Sequence, residues 1–213
     1  MRWFFFYATF IAVLPAPIHA ETDPKPLETW LRKQSTIRSL EADFTQERRL
    51  PSLKKPVIAK GRLSMRRPGW FRWELGNPPK TIALADGSTL VLADAVKKRA
   101  RRIPLDSPEA RRFTLLASEA FASSDTFHKT FELHETRTTN GIYQATLRLL
   151  DRRMRSKIPW IFLTIDSRSS RLLAIEIELS DQSRILNRFT KVRINPKLPD
   201  SRFHLDLSGY RVR

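Results

Sequence analysis

The stretch RRPGWFRWELGNPP, residues 66–79, places three aromatic side chains within four positions. Phe71 and Trp73 alternate with Arg72 and Glu74, and this period of two predicts a β-strand over 70–75 with one apolar face. Pro-Gly precedes the strand and two prolines follow it, so turns bound it on both sides. Such a strand suits three roles: ordinary core, a stacking platform for nucleic-acid bases, or the wall of an apolar cavity.

The same alternation continues on both sides of this stretch. Further strands are predicted at 42–47, 57–66, 81–85 and 89–93, with an Asp-Gly hairpin signal joining the last two, and a basic edge strand is predicted at 96–103. Five more are predicted at 127–135, 143–150, 160–165, 172–179 and 185–194. No helix recurs between successive strands, which disfavours a doubly wound parallel sheet. We therefore predict a mainly β (α+β) fold of about eleven antiparallel strands in one curved sheet.

Two helices accompany these strands. Apolar residues at helical spacing predict the first over 23–40, and Ser107 with Pro108 is a typical start for the second. The second helix presents Phe113 and Leu116 on its apolar stripe, so it is a candidate lid over the sheet. Alternation along the strands predicts one set of side chains on the concave face, where they could border a cavity: Phe44, Leu63, Met65, Phe71, Trp73, Ile82, Leu84, Leu90 and Leu92.

The first twenty residues have the order of a secretory signal. Arg2 precedes an apolar run over 3–14, and the small residue Ala20 follows two prolines. The apolar run is shorter than the roughly 20 residues that span a bilayer, which disfavours a membrane anchor. We predict a signal peptide at 1–20, cleaved after Ala20, and a single exported domain at 21–213. The chain has no cysteine, so this domain must be stable without disulfides.

The charge is strongly basic, with 39 Lys and Arg against 22 Asp and Glu and a net charge of +17. The densest run supplies five candidate docking cations: Lys97, Lys98, Arg99, Arg101 and Arg102. Nucleic acid is the usual partner of such a chain, but export makes it a poor candidate here, and we expect no nucleic-acid binding. Anionic lipid head groups, an acidic protein and a merely solvated surface remain the alternatives.

No catalytic motif stands out. The six glycines are scattered without a phosphate-binding loop, and no G-x-S-x-G nucleophile elbow is present. The four histidines share no ligand spacing. We therefore expect no catalytic residues, no metal site, no cofactor and no enzymatic activity, and a hydrolase acting on envelope lipids is disfavoured.

Several short motifs follow one another in a defined order. Phe44-Thr45-Gln46 is followed by Gly61-Arg62-Leu63, then by R-P-G-W-F-R-W at 67–73 and by the Asp-Gly hairpin. This order resembles the periplasmic outer-membrane lipoprotein carriers, the LolA-like proteins, over about residues 27–94. The run at 97–102 is more basic than the family pattern, which keeps open a specialised paralogue that handles another lipid.

The resemblance implies an unclosed antiparallel β-barrel, with helices covering a concave hydrophobic face that holds acyl chains. It implies a periplasmic carrier that accepts an acylated lipoprotein or lipid from an inner-membrane transporter and passes it to an outer-membrane receptor. Arg67 matches the family arginine that bonds the lid and controls its opening. We expect a monomer. A lipid-binding sensor or regulatory module of the same fold, with no transfer role, is the alternative function.

Overall fold

The computed structural model describes residues 22–110 and 121–213, and all elements below lie in these ranges. The predicted signal peptide at 1–20 and the predicted lid residues Phe113 and Leu116 lie outside the described residues. Both therefore stay predictions.

Twelve strands within the described ranges form one sheet. The first six are β1 (Ser39–Arg49), β2 (Val57–Arg66), β3 (Trp70–Leu75), β4 (Thr81–Asp86), β5 (Thr89–Asp94) and β6 (Arg99–Pro104). The next five are β7 (Phe131–Thr139), β8 (Ile142–Leu149), β9 (Trp160–Asp166), β10 (Arg171–Glu178) and β11 (Arg184–Ile194), and the last is β12 (Arg211–Val212).

The strand order is β12-β6-β5-β4-β3-β2-β1-β11-β10-β9-β8-β7. Two antiparallel meanders, β1 to β6 and β7 to β11, are joined side by side where β1 pairs with β11. The predicted unclosed, mainly antiparallel barrel is confirmed. One detail was wrong: β6 is not the edge strand, because β12 pairs with it in parallel.

The described helices are α1 (Lys25–Ser35), α2 (Ser124–His128), α3 (Arg152–Arg155) and a 3₁₀ turn, Asp200–Phe203. Residues 108–110 are helical, and the Ser107 hydroxyl accepts a hydrogen bond from the Ala110 amide at 3.2 Å, as a start at Ser107 predicts. The first helix ends earlier than the predicted 40, since β1 already begins at Ser39. None of the helices in the described ranges is long and apolar enough to cross a membrane.

The two faces of the sheet carry separate apolar cores. The inner face packs against α1, and its larger core is built mainly from the second meander together with Leu27, Trp30 and Leu31 of the helix. On the outer face of β4 and β5, a smaller core contains Ile82 and Leu84 and is covered by Leu205, Leu207 and Tyr210 of the C-terminal segment.

The placement of Ile82 and Leu84 corrects their predicted position on the concave face. In the β3–β4 register, Leu84 lies opposite Arg72, whereas Ala83 and Ala85 lie opposite Trp73 and Phe71. The inner-face residues of β4 are therefore its two alanines. Every residue from 82 to 85 is apolar, as is typical of a strand buried on both faces, so alternation does not reveal which side chains point inwards.

The C-terminal segment, residues 196–213, crosses the outer face of the first meander. Phe203 is fully buried and packs edge-on against Trp70 with ring centroids 5.6 Å apart. The Arg202 guanidinium donates to the Ser64 hydroxyl and to the Glu74 carboxylate, both at 2.9 Å. Arg72 donates to the His204 carbonyl oxygen at 2.9 Å. These contacts fix the segment to the sheet before it adds β12.

Candidate functional site

An apolar cavity of about 410 Å³ lies between α1 and the inner face of the sheet, where the two meanders meet. Its size falls in the range of about 300–1,000 Å³ that is usual for small-molecule sites. The apolar residues that line it are Trp30, Ile37, Leu40, Ala42, Leu63, Met65, Phe121, Leu172, Ile175, Phe189, Val192 and Ile194.

Strand β1 runs through the centre of the cavity floor. Leu40 and Ala42 lie opposite Met65 and Leu63 of β2, so alternate residues of both strands point towards the helix. On its other side β1 pairs with β11 through a bulge, at which Lys191 adopts a left-handed conformation (φ 50°). The small side chain of Ala42 at this bulge leaves room under the helix.

Packed side chains border the cavity on both sides. Towards β3, the Phe44 ring packs against Trp73 at a tilt of 32°, with centroids 3.9 Å apart, and its centroid lies 6.3 Å from that of Phe189. Towards β7, the Trp30 ring meets Phe121 edge-on at 5.7 Å, and Phe121 stacks on Phe131 of β7. The inner face is therefore solid at its ends and hollow at the junction of the meanders.

Polar contacts tie α1 to the rest of the protein. The Arg67 guanidinium donates to the Gln34 carbonyl oxygen near the end of α1 at 3.0 Å, and to the Ala122 carbonyl oxygen at 3.3 Å. Near the start of the helix, the Glu28 carboxylate accepts from the Ser124 hydroxyl at 2.9 Å and lies 2.7 Å from His128 Nε2. These contacts hold the cover of the cavity at both ends.

A further bond fixes the chain just before α1. The buried Tyr143 hydroxyl donates to the Asp23 carbonyl oxygen at 2.8 Å, and the Asp23 amide donates to the Thr136 hydroxyl at 2.8 Å. Burial raises the pKa of Tyr143, so its phenol stays a neutral donor at physiological pH.

The predicted cavity residues divide into three groups. Leu63 and Met65 line the cavity, and Arg67 lies at its rim. Phe44, Phe71, Trp73, Leu90 and Leu92 share the inner face but pack in the neighbouring core rather than around the hollow. Ile82 and Leu84 lie on the other face.

The aromatic stretch of β3 therefore serves mainly as core. Phe71 and Trp73 pack on the inner face, while Trp70 lies against Phe203 and beneath the Arg66 guanidinium, 4.6 Å from the ring centroid. Both faces of this strand are covered, so it offers no stacking platform for bases.

The lining that the sequence prediction missed comes from α1, β1, β10 and β11, together with Ile37 and Phe121. The sequence does contain a signal for part of this lining, because Leu172 and Ile194 belong to strands in which apolar and polar residues alternate. What the sequence did not reveal was the pairing of β1 with β11, which joins strands about 150 residues apart and brings the second meander to the cavity.

The basic segment is only partly neutralised. Arg101 forms two hydrogen bonds to the Glu109 carboxylate, at 2.9 and 3.1 Å, and the Lys98 ammonium lies 4.8 Å from the Tyr210 ring centroid. Lys97, Arg99 and Arg102 are exposed, and none of them forms an ion pair with a described residue. In residues 22–110 and 121–213, no three His, Asp or Glu side chains are grouped to hold a metal ion.

Comparison with known proteins gives consistent similarities. The sequence model of the family described as "Outer membrane lipoprotein carrier protein LolA" matches residues 35–206. A protein of Chromohalobacter salexigens named outer-membrane lipoprotein carrier protein is 24% identical over 207 residues, covering 97% of this chain and 95% of its own length. One of the same name from Dechloromonas aromatica is 26% identical over 207 residues, covering 92% and 88%. The solved structure of an uncharacterized conserved protein from Thermus thermophilus shares the fold, with a TM-score of 0.51 at 9% identity, covering 89% of this chain and 98% of its own.

Proposed function

Because the chain belongs to the family of the outer membrane lipoprotein carrier protein LolA, we propose that it is a periplasmic carrier for the acyl chains of a lipoprotein or lipid. The family match confirms the resemblance carried by the motifs at 44–46, 61–63 and 67–73. The observation that carries the proposal is the apolar cavity of about 410 Å³ beneath α1. The predicted signal peptide and the names of the relatives support a periplasmic location.

The energetics of an acyl chain explain what the cavity must do. Each methylene exposed to water costs about 0.8 kcal/mol, so burial of a sixteen-carbon chain in an apolar site must contribute roughly 12 kcal/mol. A membrane offers the same shelter, and a carrier must therefore bind loosely enough to release its cargo. Large aromatic and methionine side chains shield an apolar ligand without matching one shape, and Trp30, Phe189 and Met65 supply this lining.

The hydrogen bonds of Arg67 oppose the entry of a ligand into the cavity. Its two bonds to the carbonyl oxygens of Gln34 and Ala122 stabilise the closed form. A ligand that lifts α1 breaks these bonds, so part of its binding free energy is used to open the cavity. The closed empty form then favours release. In this scheme the protein needs no catalytic residue.

The test is the lipid content and transfer activity of the protein recovered from the periplasm of bacteria that express the full-length sequence. Solvent extraction and mass spectrometry should reveal bound acylated molecules, and the loaded protein should deliver them to acceptor vesicles. Bound lipid without delivery supports the sensor alternative. Absence of both bound lipid and lipid uptake contradicts the proposal.

The donor and acceptor follow from the same proposal. We expect an inner-membrane transporter to load the protein and an outer-membrane receptor to unload it. The exposed cations at Lys97, Arg99 and Arg102, with Arg211 of β12 beside Arg99, are proposed to dock the protein on an anionic membrane surface.

A further inference from the structure

The rim of the cavity beside the turn between β9 and β10 carries two cations that converge on one residue. The Lys33 ammonium donates to the Ser169 carbonyl oxygen at 3.1 Å, and Arg171 Nε donates to the Ser169 hydroxyl at 3.2 Å. Both cations are exposed, and both belong to the lining of the cavity. They therefore lie together where an apolar ligand would meet water.

Within residues 22–110 and 121–213, neither cation of this pair forms an ion pair with an acidic side chain. The described residues that line the cavity include Lys33, Arg67 and Arg171 but no Asp or Glu. Across the strands, Asp166 lies opposite Arg171 without forming an ion pair with it. Hydrogen bonds from the backbone amides of Ser169 and Arg168 lower the pKa of this carboxyl, and the charge of Arg171 makes a smaller contribution. Lys33 likewise has no carboxylate partner among the described residues.

We propose that Lys33 and Arg171 form an anion subsite that holds the carboxylate or phosphate head group of an amphiphile whose acyl chain lies in the cavity. This inference rests on the proposed function, because it requires the cavity to hold acyl chains. A neutral acylated head group would leave both cations with the uncharged acceptors that they already have. An anionic head group gains charge-assisted hydrogen bonds from both, so it binds more tightly than a neutral one of the same chain length.

The test compares three probes with one chain: hexadecanoate, hexadecyl phosphate and neutral hexadecanol. Their affinities are measured by displacement of a fluorescent apolar dye from the purified protein. We expect at least one anion to bind about tenfold more tightly than hexadecanol at low salt, and the advantage to shrink at high salt. Preference for hexadecanoate indicates a fatty acid as the source of the head group, and preference for hexadecyl phosphate indicates a phospholipid.

The variant K33Q/R171Q should lose that advantage, so that it binds the two anions about as tightly as it binds hexadecanol. The matched control K55Q/R153Q removes the same charge from exposed positions away from the cavity and should keep the advantage. Thermal unfolding checks that both variants are folded.

The outcomes separate the subsite from the cavity. If hexadecanol binds but neither anion binds more tightly, or if the two double variants behave alike, the anion subsite is wrong and the carrier proposal stands. If none of the three probes displaces the dye, the acyl-binding cavity itself is wrong.

Discussion

Replacing Arg67 with leucine tests whether the bonds of this arginine couple closure of α1 to release of the ligand. The guanidinium makes two hydrogen bonds, at 3.0 and 3.3 Å, to carbonyl oxygens of Gln34 and Ala122. Hydrogen bonds that involve a charged group contribute about 1.5–3 kcal/mol. Arg67 is half-buried and one bond is long, so about 2 kcal/mol is a reasonable value for the pair. That free energy corresponds to a shift of roughly thirtyfold in the equilibrium between closed and open forms.

The expected result is a carrier that loads but retains its cargo. Arg67→Leu destabilises the empty closed form and leaves the open loaded form unchanged, so the partition of lipid between protein and acceptor vesicles should move roughly thirtyfold towards the protein. The assay follows a fluorescent acylated ligand from loaded protein to vesicles. Uptake of the same ligand from donor vesicles gives the loading side.

A matched control lies on the same strand. Arg62 is exposed on the outer face of β2, and Arg62→Leu removes the same charge without touching α1. This control should transfer lipid as the unmodified protein does. If the partition for Arg67→Leu stays within about twofold of the control while the variant remains folded, the bonds of Arg67 do not oppose loading, and the mechanism is refuted.

Three further substitutions give sharp expectations. Gly61→Ala places a Cβ 2.2 Å from the Phe44 ring and 2.5 Å from a backbone oxygen. We expect the free energy of unfolding, measured by urea titration, to fall by about 2–3 kcal/mol. A loss below about 0.5 kcal/mol would contradict this close packing. Ala42→Phe puts a ring into the cavity and should reduce the extracted lipid severalfold; undiminished lipid would place the ligand elsewhere. Arg99→Gln combined with Arg211→Gln should lower the affinity for anionic vesicles, measured by co-sedimentation, by roughly thirtyfold, since each cation contributes about 1 kcal/mol. Unchanged affinity would show that this surface does not dock on the membrane.

Local patterns predicted most of the strands. β2 and β3 begin and end where the alternation predicts, because polar residues on one face and apolar residues on the other mark their register. The strand predicted from Phe127 begins instead at Phe131. Ser123 caps the short helix α2 by accepting from the Thr126 amide at 3.2 Å, and this local bond favours a helical turn before the strand.

The motif at 61–63 has a physical explanation in the structure. Gly61 lies opposite Phe44 across β1 and β2, and the Phe44 ring occupies the space that a side chain at 61 would need. The ring can then pack closely against Trp73. The first two motifs of the family pattern thus describe one packing unit beside the cavity, and sequence order alone did not show that they touch.

The site was predicted less well than the fold. Its outline depends on which strands become neighbours, and the pairing of Phe44 with Phe189 is a contact between opposite ends of the chain. Alternation identifies a buried face but not the neighbour that faces it. It also does not separate a filled part of that face, such as Phe71 and Leu90, from the hollow part at Leu63 and Met65.

The C-terminal segment across the outer face determines which part of the protein can yield to a ligand. Arg202 and Phe203 brace the back of β2 to β4, and bending these strands would break buried polar bonds and expose Ile82 and Leu84. The sheet is therefore the rigid side of the cavity. Among the elements of residues 22–110 and 121–213, α1 is the one that a bulky cargo would displace, because separate polar bonds and one apolar stripe attach it to the rest of the protein.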